Sequence, residues 1–307
     1  MQPVDRRHVV LGGAALALGA CSGRDVTVSE ENTGQIVIAG GTRLHYRIIG
    51  ERGPKAICIH GANGNLRDWA LGPAQALAET HQVLLFDRPG FGFSERAKAN
   101  GENLFVQAAL MRDGARQLGF EEAVLIGHSY GGSVALAWAL DAPETLSGLM
   151  LLAAPSQVWE GGLGFLNAVT GAPVIGPIAS RLVPALASES FVKARVAGIF
   201  APQEAPEGYV DQVGVEFSLR AAQIRHNAAD LGALKAQIRK MVPRYPGLTL
   251  PVELLHGTAD TTVPINIHSR LLVGQLPQGR LTELEGIGHM PHHVAKDAMR
   301  AALRRLS

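Results

Sequence analysis

Runs of apolar residues recur along the chain, and polar or mixed segments separate them. Two early runs, QIVIAGG and RLHYRIIG, are bounded by glycines, as the strands of a hairpin are. The later runs are AICIHG, QVLLFD, AVLIGHS, LMLLAAP, VELLHG and LTELEG, and helix-compatible segments lie between most of them. Because strands that are apolar throughout are covered on both faces, this pattern predicts a doubly wound α/β fold with a mostly parallel sheet.

The alternation stops between LMLLAAP and VELLHG, where about 95 residues pass without a clear buried strand. Segments such as SESFVKARVAGIF and LRAAQIRHNAADLGALKAQIRKMV are compatible with helices. We interpret residues 156–248 as a helical cap inserted into a sheet domain that comprises residues 26–155 and 249–307. A separate C-terminal domain is the alternative, but two more core-like strands follow the interval, and an insertion explains their return.

The first 20 residues have the pattern of an export signal. An Arg-Arg pair precedes an apolar run, Val9 to Ala20, that is too short to span a bilayer. The pair resembles a bacterial twin-arginine signal, and LGAC, which ends at Cys21, resembles a lipobox. We therefore expect cleavage before Cys21, a lipid on its sulfur, and export to the periplasm or cell envelope. A disordered, weakly amphipathic terminus is the alternative.

The amino-acid composition limits the kinds of partner that the chain is expected to bind. The 307 residues are 47% hydrophobic and 18% charged, and 28 basic residues nearly balance 27 acidic ones, which leaves a formal net charge of +1. So small a charge gives no general attraction for polyanions, and we expect no nucleic-acid partner. We also expect no disulfide, because Cys21 would carry the lipid and Cys58 lies in a buried apolar strand.

The stretch LIGHSYGGSVALAW places a serine between glycines, in Gly127-His128-Ser129-Tyr130-Gly131. Such a match is common by chance, but this one directly follows an apolar strand and opens a helix-compatible segment. A sharp strand-to-helix turn lifts the serine hydroxyl above the sheet, and close packing leaves room only for glycine at the flanking positions. We therefore predict that Ser129 is a nucleophile, the alternative being an ordinary turn residue.

A serine nucleophile needs a base, and the base needs an orienting acid. Asp260 follows a strand in LLHGTADTTVP, and His289 follows the last strand in LEGIGHMPHH. Their order after Ser129 places all three groups at the carboxyl edge of one parallel sheet. His292 and His293 compete for the role of base, but His289 comes directly after the strand.

Other polar and aromatic residues near these motifs are interpreted as structural. Asp87 ends a strand, where a carboxylate commonly fixes the turn that follows, and Asp68 lies too early in the chain to be the acid. We expect His60 to hydrogen-bond the loop that follows it, His128 to hydrogen-bond the turn around Ser129, and His256 to pack or tether a loop. Four aromatic residues can line a substrate cavity but are more often core: Trp69, Trp159, Tyr209 and Phe217.

The segment ICIHGANGN supplies a fourth element of the site. The backbone N–H of Ala62, which follows a strand, can pair with that of Tyr130 to form an oxyanion hole. We predict no metal and no cofactor. HMPHH has no Cys, Glu or Asp partner at ligand spacing, and the glycines of GGTRLHYRIIGERG do not form a dinucleotide fingerprint.

From about Gln35 to Leu306 the chain resembles a capped α/β-hydrolase. HGANGN, DRPGFGFSE, GHSYGG, HGTADTTVP and GHMPHH are similar, in order and spacing, to that family's oxyanion loop, post-strand loop, nucleophile elbow, acid loop and histidine loop. The resemblance implies Ser129, Asp260 and His289 as the triad. Epoxide hydrolases and haloalkane dehalogenases share the DRPGFGFS style of loop, but they attack with an aspartate at the elbow, where this chain has Ser129.

The expected reaction is hydrolysis of an ester or related acyl bond in an apolar substrate of small to medium size, through an acyl-enzyme. The cap has no charge runs, which favours an apolar substrate. Hydrolysis of a carbon-carbon bond in a diketone and cofactor-free perhydrolase or haloperoxidase-like activity use the same triad and stay open. A binding protein that kept the scaffold without catalysis is the alternative of another class.

The N-terminal interpretation is testable by mass. The mature chain, isolated from the membranes of its host, should begin at Cys21 and carry the added mass of a lipid. A Cys21→Ser variant should lack that mass. An intact-mass measurement that finds residues 1–20 retained, or an unmodified Cys21, contradicts the interpretation.

Overall fold

Eight strands form one sheet in the computed structural model, which describes residues 34–162, 169–172 and 175–307 of the chain. The strands lie in the order β1-β2-β4-β3-β5-β6-β7-β8. The pairings β1-β2 and β2-β4 are antiparallel, and the others are parallel, so the predicted mostly parallel sheet is confirmed. The strands are β1 (Gln35–Ala39), β2 (Thr42–Ile49), β3 (Lys55–Ile59), β4 (Gln82–Phe86), β5 (Ala123–His128), β6 (Leu146–Leu152), β7 (Val252–Gly257) and β8 (Gly279–Leu284).

Helices cover both faces of the sheet. Successive side chains along a strand point to opposite faces, and the strands are apolar at successive positions, so both faces are apolar and are buried under helices. Ile57 and Ile59 of β3 join one apolar cluster, and Ala56 and Cys58 join the other. On the first face lie α3 (Leu104–Gln117) and α4 (Tyr130–Asp141), and on the second lie α1 (Arg67–Ala70), α2 (Pro73–Ala78) and, at the end of the chain, α12 (Lys296–Leu306).

The described residues between β6 and β7 form helices and turns and contain no strand. The longest of these helices, α9 (Ala221–Met241), runs for 21 residues and packs beside α4. The division into a cap at residues 156–248 and a core on either side stays a prediction. The helices here are α5 (Gly176–Leu186), α6 (Glu189–Phe200), α7 (Tyr209–Val213), α8 (Val215–Ser218) and α9 (Ala221–Met241), and a 3-10 turn follows at Val242–Gly247.

Two short helices complete the fold, α10 (Ser269–Val273) after β7 and α11 (Pro291–Val294) after β8. The predicted export signal at residues 1–20 and the lipidation site Cys21 lie outside the described residues. Within the described part of the chain, no helix combines the length and the apolar character needed to cross a membrane.

A buried carboxylate ties α9 to the loop after β4. Asp230 of α9 accepts hydrogen bonds from Arg88 at 3.0 Å and Arg96 at 2.6 Å, and from the Gln107 amide at 3.2 Å. Arg88 also donates to the carbonyl of Gly61, and its guanidinium is fully buried. The long helix is thus held to the loops at the carboxyl edge of the sheet by charge as well as by apolar packing.

Asp230→Ala should lower the free energy of unfolding by about 3 to 5 kcal/mol, because it leaves the Arg88 charge buried without its partner. Urea unfolding followed by tryptophan fluorescence measures the change. The control is Asp141→Ala, which breaks a partly exposed ion pair with Arg112 and should cost less than about 1 kcal/mol. Equal losses in the two variants would contradict the assignment of Asp230 as an anchor.

Candidate active site

The turn from β5 to α4 has the shape of a nucleophile elbow. Ser129 has φ 50° and ψ −126°, a strained conformation for a residue with a side chain. A Cβ at Gly127 would lie 2.5 Å from the carbonyl oxygen of Gly131. A Cβ at Gly131 would lie 2.5 Å from the carbonyl oxygens of Ile59 and His60. Only glycine at positions 127 and 131 lets these backbones approach so closely.

The structure brings together the three groups that the sequence proposed as a triad. Ser129 Oγ lies 3.0 Å from His289 Nε2, and His289 Nδ1 lies 2.7 Å from Asp260 Oδ2. The three residues come from separate loops after β5, β7 and β8, and each is at most 9% exposed. The arrangement is chemically able to move the serine proton to the imidazole while the carboxylate keeps the ring oriented.

Asp260 is held as a carboxylate by its surroundings. Its Oδ1 accepts hydrogen bonds from the backbone N–H groups of Thr262 and Val263, at 2.8 and 2.9 Å. Burial disfavours the charged form, but hydrogen bonds from His256 and His289 hold the pKa of Asp260 below its usual range. An ionised Asp260 requires a proton on His289 Nδ1, which leaves Nε2 free to accept the proton of Ser129.

The loop after β3 lies directly against Ser129. A Cβ at Gly61 would lie 3.2 Å from Ser129 Cβ, which places the following residue, Ala62, beside the serine. Tyr130 is the first residue of α4, where a backbone N–H has no partner within the helix. These two N–H groups are the donors that the sequence proposed for the oxyanion hole. Their role stays a prediction.

Histidines 60, 128 and 256 all make hydrogen bonds to loops, but His128 bonds the loop that carries His289 rather than the turn around Ser129 that the sequence suggested. His60 donates from Nδ1 to the carbonyl of Gly61 and accepts the N–H of Arg88 at Nε2, both at 2.9 Å. His128 Nε2 donates to the carbonyl of His289 at 2.8 Å. His256 bonds Ser269 and the Val263 carbonyl, each at 2.7 Å, and its Nε2 also lies 3.3 Å from Asp260 Oδ2.

Asp87 has a wider role than the turn predicted for it. Its carboxylate lies 2.7 Å from the ring of His45 and accepts the N–H groups of Leu66 and Phe93. It therefore joins the first strands to the loops after β3 and β4. Among the four aromatic residues, Trp69, Tyr209 and Phe217 are buried, and Trp159 is partly exposed against the core.

Asp68 is the residue that the sequence interpretation missed. Its carboxylate binds His292 Nε2 at 2.9 Å, His293 Nε2 at 2.8 Å and the Tyr209 hydroxyl at 2.7 Å. Spacing along the chain gave no signal for this contact, because the tertiary fold supplies the partner from 224 residues away. The two histidines that competed with His289 are thereby used in a separate buried cluster.

Asp68, His128 and His292 have ligand-type atoms within 4.8 Å of one another. Hydrogen bonds already use both carboxylate oxygens of Asp68 and one nitrogen of each imidazole. The other nitrogen of His128 faces Gly61, where an added Cβ would lie 3.2 Å away. The contacts thus describe a hydrogen-bonded cluster, and the sequence prediction of no metal stays a prediction.

Comparisons with known proteins agree with this fold. A family model described as alpha/beta hydrolase fold matches residues 57–169. The chain is 28% identical to the pimeloyl-[acyl-carrier protein] methyl ester esterase of Vibrio parahaemolyticus, over 86% of this chain and 97% of that protein. It is 25% identical to a 2-hydroxy-6-oxononadienedioate/2-hydroxy-6-oxononatrienedioate hydrolase of Klebsiella pneumoniae, over 76% of this chain and 80% of that protein.

A solved structure with the same architecture is the enol-lactonase of Burkholderia xenovorans. It superposes with a TM-score of 0.71 over 89% of this chain and 99% of that chain, at 20% sequence identity. The chain therefore has the α/β-hydrolase fold. The match and the sheet topology confirm the fold class that the strand pattern predicted.

Several buried histidines should make the fold sensitive to acid. Burial lowers the pKa values of His60, His268 and His292 to about 4, and burial together with the neighbouring imidazoles holds that of His128 well below its usual range. Between about pH 6.5 and pH 4, the unfolded chain therefore binds protons that the folded chain does not. Stability is full above pH 6.5 and falls with decreasing pH through this window.

We expect the free energy of unfolding to fall by about 4 to 5 kcal/mol per pH unit near pH 5, since three to four imidazoles each contribute about 1.4 kcal/mol per pH unit. Urea unfolding at constant ionic strength from pH 7.5 to 4.5 measures the slope. Asp68 and Asp260, whose pKa values lie below their usual range, add to the loss only below about pH 4. A flat profile from pH 6.5 to 4.5 would contradict the prediction.

Proposed function

We propose that this protein is a serine hydrolase that cleaves an ester or related acyl bond through an acyl-enzyme. The observation that carries the proposal is the continuous hydrogen-bond path from Ser129 Oγ to His289 and on to Asp260, at 3.0 and 2.7 Å. The strained backbone of Ser129 supports it, because such strain persists only where the surrounding structure maintains it.

In the proposed reaction, His289 Nε2 takes the proton of Ser129 as its oxygen attacks the substrate carbonyl. The N–H groups of Ala62 and Tyr130 stabilise the oxyanion of the tetrahedral intermediate. His289 then returns the proton to the leaving alcohol, which departs and leaves an acyl group on Ser129. Water, deprotonated by the same imidazole, releases the acid and restores the serine.

The proposed substrate is an apolar acyl compound of small to medium size. Ser129 and His289 are only 9% and 5% exposed, so a substrate must leave most of its hydration shell to reach them. Among the described residues of the helices between β6 and β7, Asp230 is the one buried charged side chain, and it is paired with Arg88 and Arg96. The relative named as a methyl ester esterase supports an ester as the bond that is cleaved.

Hydrolysis of a carbon-carbon bond is the second candidate. The relative named for 2-hydroxy-6-oxononadienedioate favours it, because a keto-dienoate contains no ester and its hydrolysis breaks a bond between carbons. The same serine, histidine and aspartate serve both reactions. Perhydrolase activity, in which peroxide replaces water in the release step, is a further outcome of the same machinery.

We propose further that the chain is exported and held at a membrane through a lipid on Cys21. This proposal rests on the signal-like pattern of residues 1–20 and on LGAC. A non-catalytic binding protein on the same scaffold stays the alternative of another class. Its expected signature is a folded chain with an unreactive Ser129.

A fluorophosphonate probe should label the folded wild-type protein at Ser129, because the activated serine attacks phosphorus as it attacks a carbonyl. Ser129→Ala should abolish labelling, and Asp260→Asn should slow it by about 10⁴-fold, since the amide imposes the wrong imidazole tautomer. Tandem mass spectrometry locates the adduct. Ser133→Ala is the matched control, because Ser133 is buried in the same helix and bonds the carbonyl of Pro155.

An activity screen then separates the candidate reactions. Ester hydrolysis should depend on acyl-chain length and disappear in Ser129→Ala, while diketone cleavage should be undetectable. Strong preference for charged esters contradicts the apolar substrate, and diketone cleavage without esterase activity favours the second candidate. A folded wild-type protein that the probe does not label refutes the nucleophile.

A further inference from the structure

A buried cluster around Asp68 lies next to the proposed base, His289. Its other members are His128, His292, His293 and Tyr209, and the ring of His128 lies 5.0 Å from that of His289. The cluster contains three imidazoles and a phenol, and Trp69 packs against it with its ring 4.9 Å from that of His292. Asp68 is buried, and each of its oxygens accepts at least one hydrogen bond. The proposed triad uses none of these side chains, although they are gathered around the segment that carries His289.

The carboxylate of Asp68 determines which nitrogen of His292 and His293 carries the proton. Burial disfavours its charge, but the histidines hold the pKa of Asp68 well below the usual range, so it is ionised and accepts only. Both rings must therefore donate from Nε2. His292, whose pKa burial lowers to about 4, is neutral and has an unprotonated Nδ1, which has no partner among the described residues.

The ring of His292 supports the ring of His128. Their centroids lie 4.2 Å apart, and the backbone of Gly61 lies on the Nδ1 side of His128. Confined in this way, His128 donates from Nε2 to the carbonyl oxygen of His289 at 2.8 Å. A path of direct contacts thus leads from Asp68 through His292 and His128 to the backbone of the residue that approaches Ser129.

We propose that Asp68 is a positioning residue that keeps His289 within hydrogen-bond distance of Ser129, acting through His292 and His128. The inference rests on the proposed function, since it concerns the same base. The hydrogen bonds of Asp68 go to His292, His293 and Tyr209 rather than to Ser129 or His289. Its effect is on the placement of the imidazole, to which proton transfer is sensitive on the scale of about 1 Å.

Asp68→Asn tests the proposal with little change in shape. The NH₂ group of the Asn amide takes the place of one carboxylate oxygen. A donor then faces at least one of the donors that bind Asp68, and that hydrogen bond is lost. We expect kcat to fall about 10- to 100-fold with KM within about twofold of wild type, as for the loss of a supporting hydrogen bond behind a functional ligand. The rate constant for fluorophosphonate labelling should fall in parallel.

Two control variants separate positioning from general damage. Glu253→Gln removes another buried carboxylate, which lies near the amino end of β7 and pairs with Arg305 of α12, and should destabilise the fold without changing kcat. Tyr209→Phe removes one donor to Asp68 but leaves both histidine contacts, and should change kcat less than about threefold. A similar loss of kcat in Glu253→Gln at equal folded fraction would overturn the proposal.

A double-mutant cycle tests the route. His128→Phe keeps a ring against His292 but cannot donate to the His289 carbonyl, so alone it should lower kcat about 10- to 100-fold. If Asp68 acts through His128, the double variant with Asp68→Asn should be no slower than the slower single variant. Effects that multiply would show that Asp68 does not act by this route.

The wild-type protein provides a test that does not depend on a variant folding. Nitrogen-15 NMR of the histidine side chains should find His128 and His292 neutral at pH 7.5 with the proton on Nε2. A proton on Nδ1 of either ring breaks the proposed path. Failure of the wild type to react with the probe overturns the proposed function, whereas normal labelling of Asp68→Asn at the wild-type rate overturns only this inference.

Discussion

Backbone-to-backbone packing at the turn after β5 is the constraint on which the site depends. Gly127 and Gly131 allow the strand, the helix α4 and the end of β3 to approach within distances that no Cβ permits. Ser129 is thereby kept in a strained conformation, and the loop carrying Ala62 is brought against it. The sheet supplies the rigidity that maintains this strain, since strands apolar on both faces are buried between two layers of helices.

Buried carboxylates hold the loops above that turn. Asp260 orients His289, Asp230 binds two arginines that reach from the sheet domain to α9, and Asp68 gathers two histidines and a tyrosine. In each case the charge is satisfied by donors from distant parts of the chain. Burying a charge is costly in free energy unless the charge is paired in this way. Each carboxylate therefore favours the one position of its loop in which the pairing is made.

Much of the fold and of the proposed triad could be predicted because the signals are local. Each strand is a contiguous apolar run, and Ser129, Asp260 and His289 each directly follow such a run. Asp68 could not be paired with His292 and His293 in this way, because the contact joins a loop after β3 to a helix after β8. The wider contacts of Asp87 were missed for the same reason, since its partners lie on β2 and on two separate loops.

The sequence by itself determined the parallel α/β sheet, the helical interval between β6 and β7, and the residues proposed for nucleophile, acid and base. The sheet and the helical interval follow from the periodicity of apolar residues. The three proposed residues follow from reactive side chains at the ends of strands, and both signals lie within short segments of the chain. Only the tertiary structure decided what binds the other two histidines of HMPHH, His292 and His293. Their partner is Asp68, which accepts their hydrogen bonds, and folding rather than spacing along the chain brings the donors and the acceptor together.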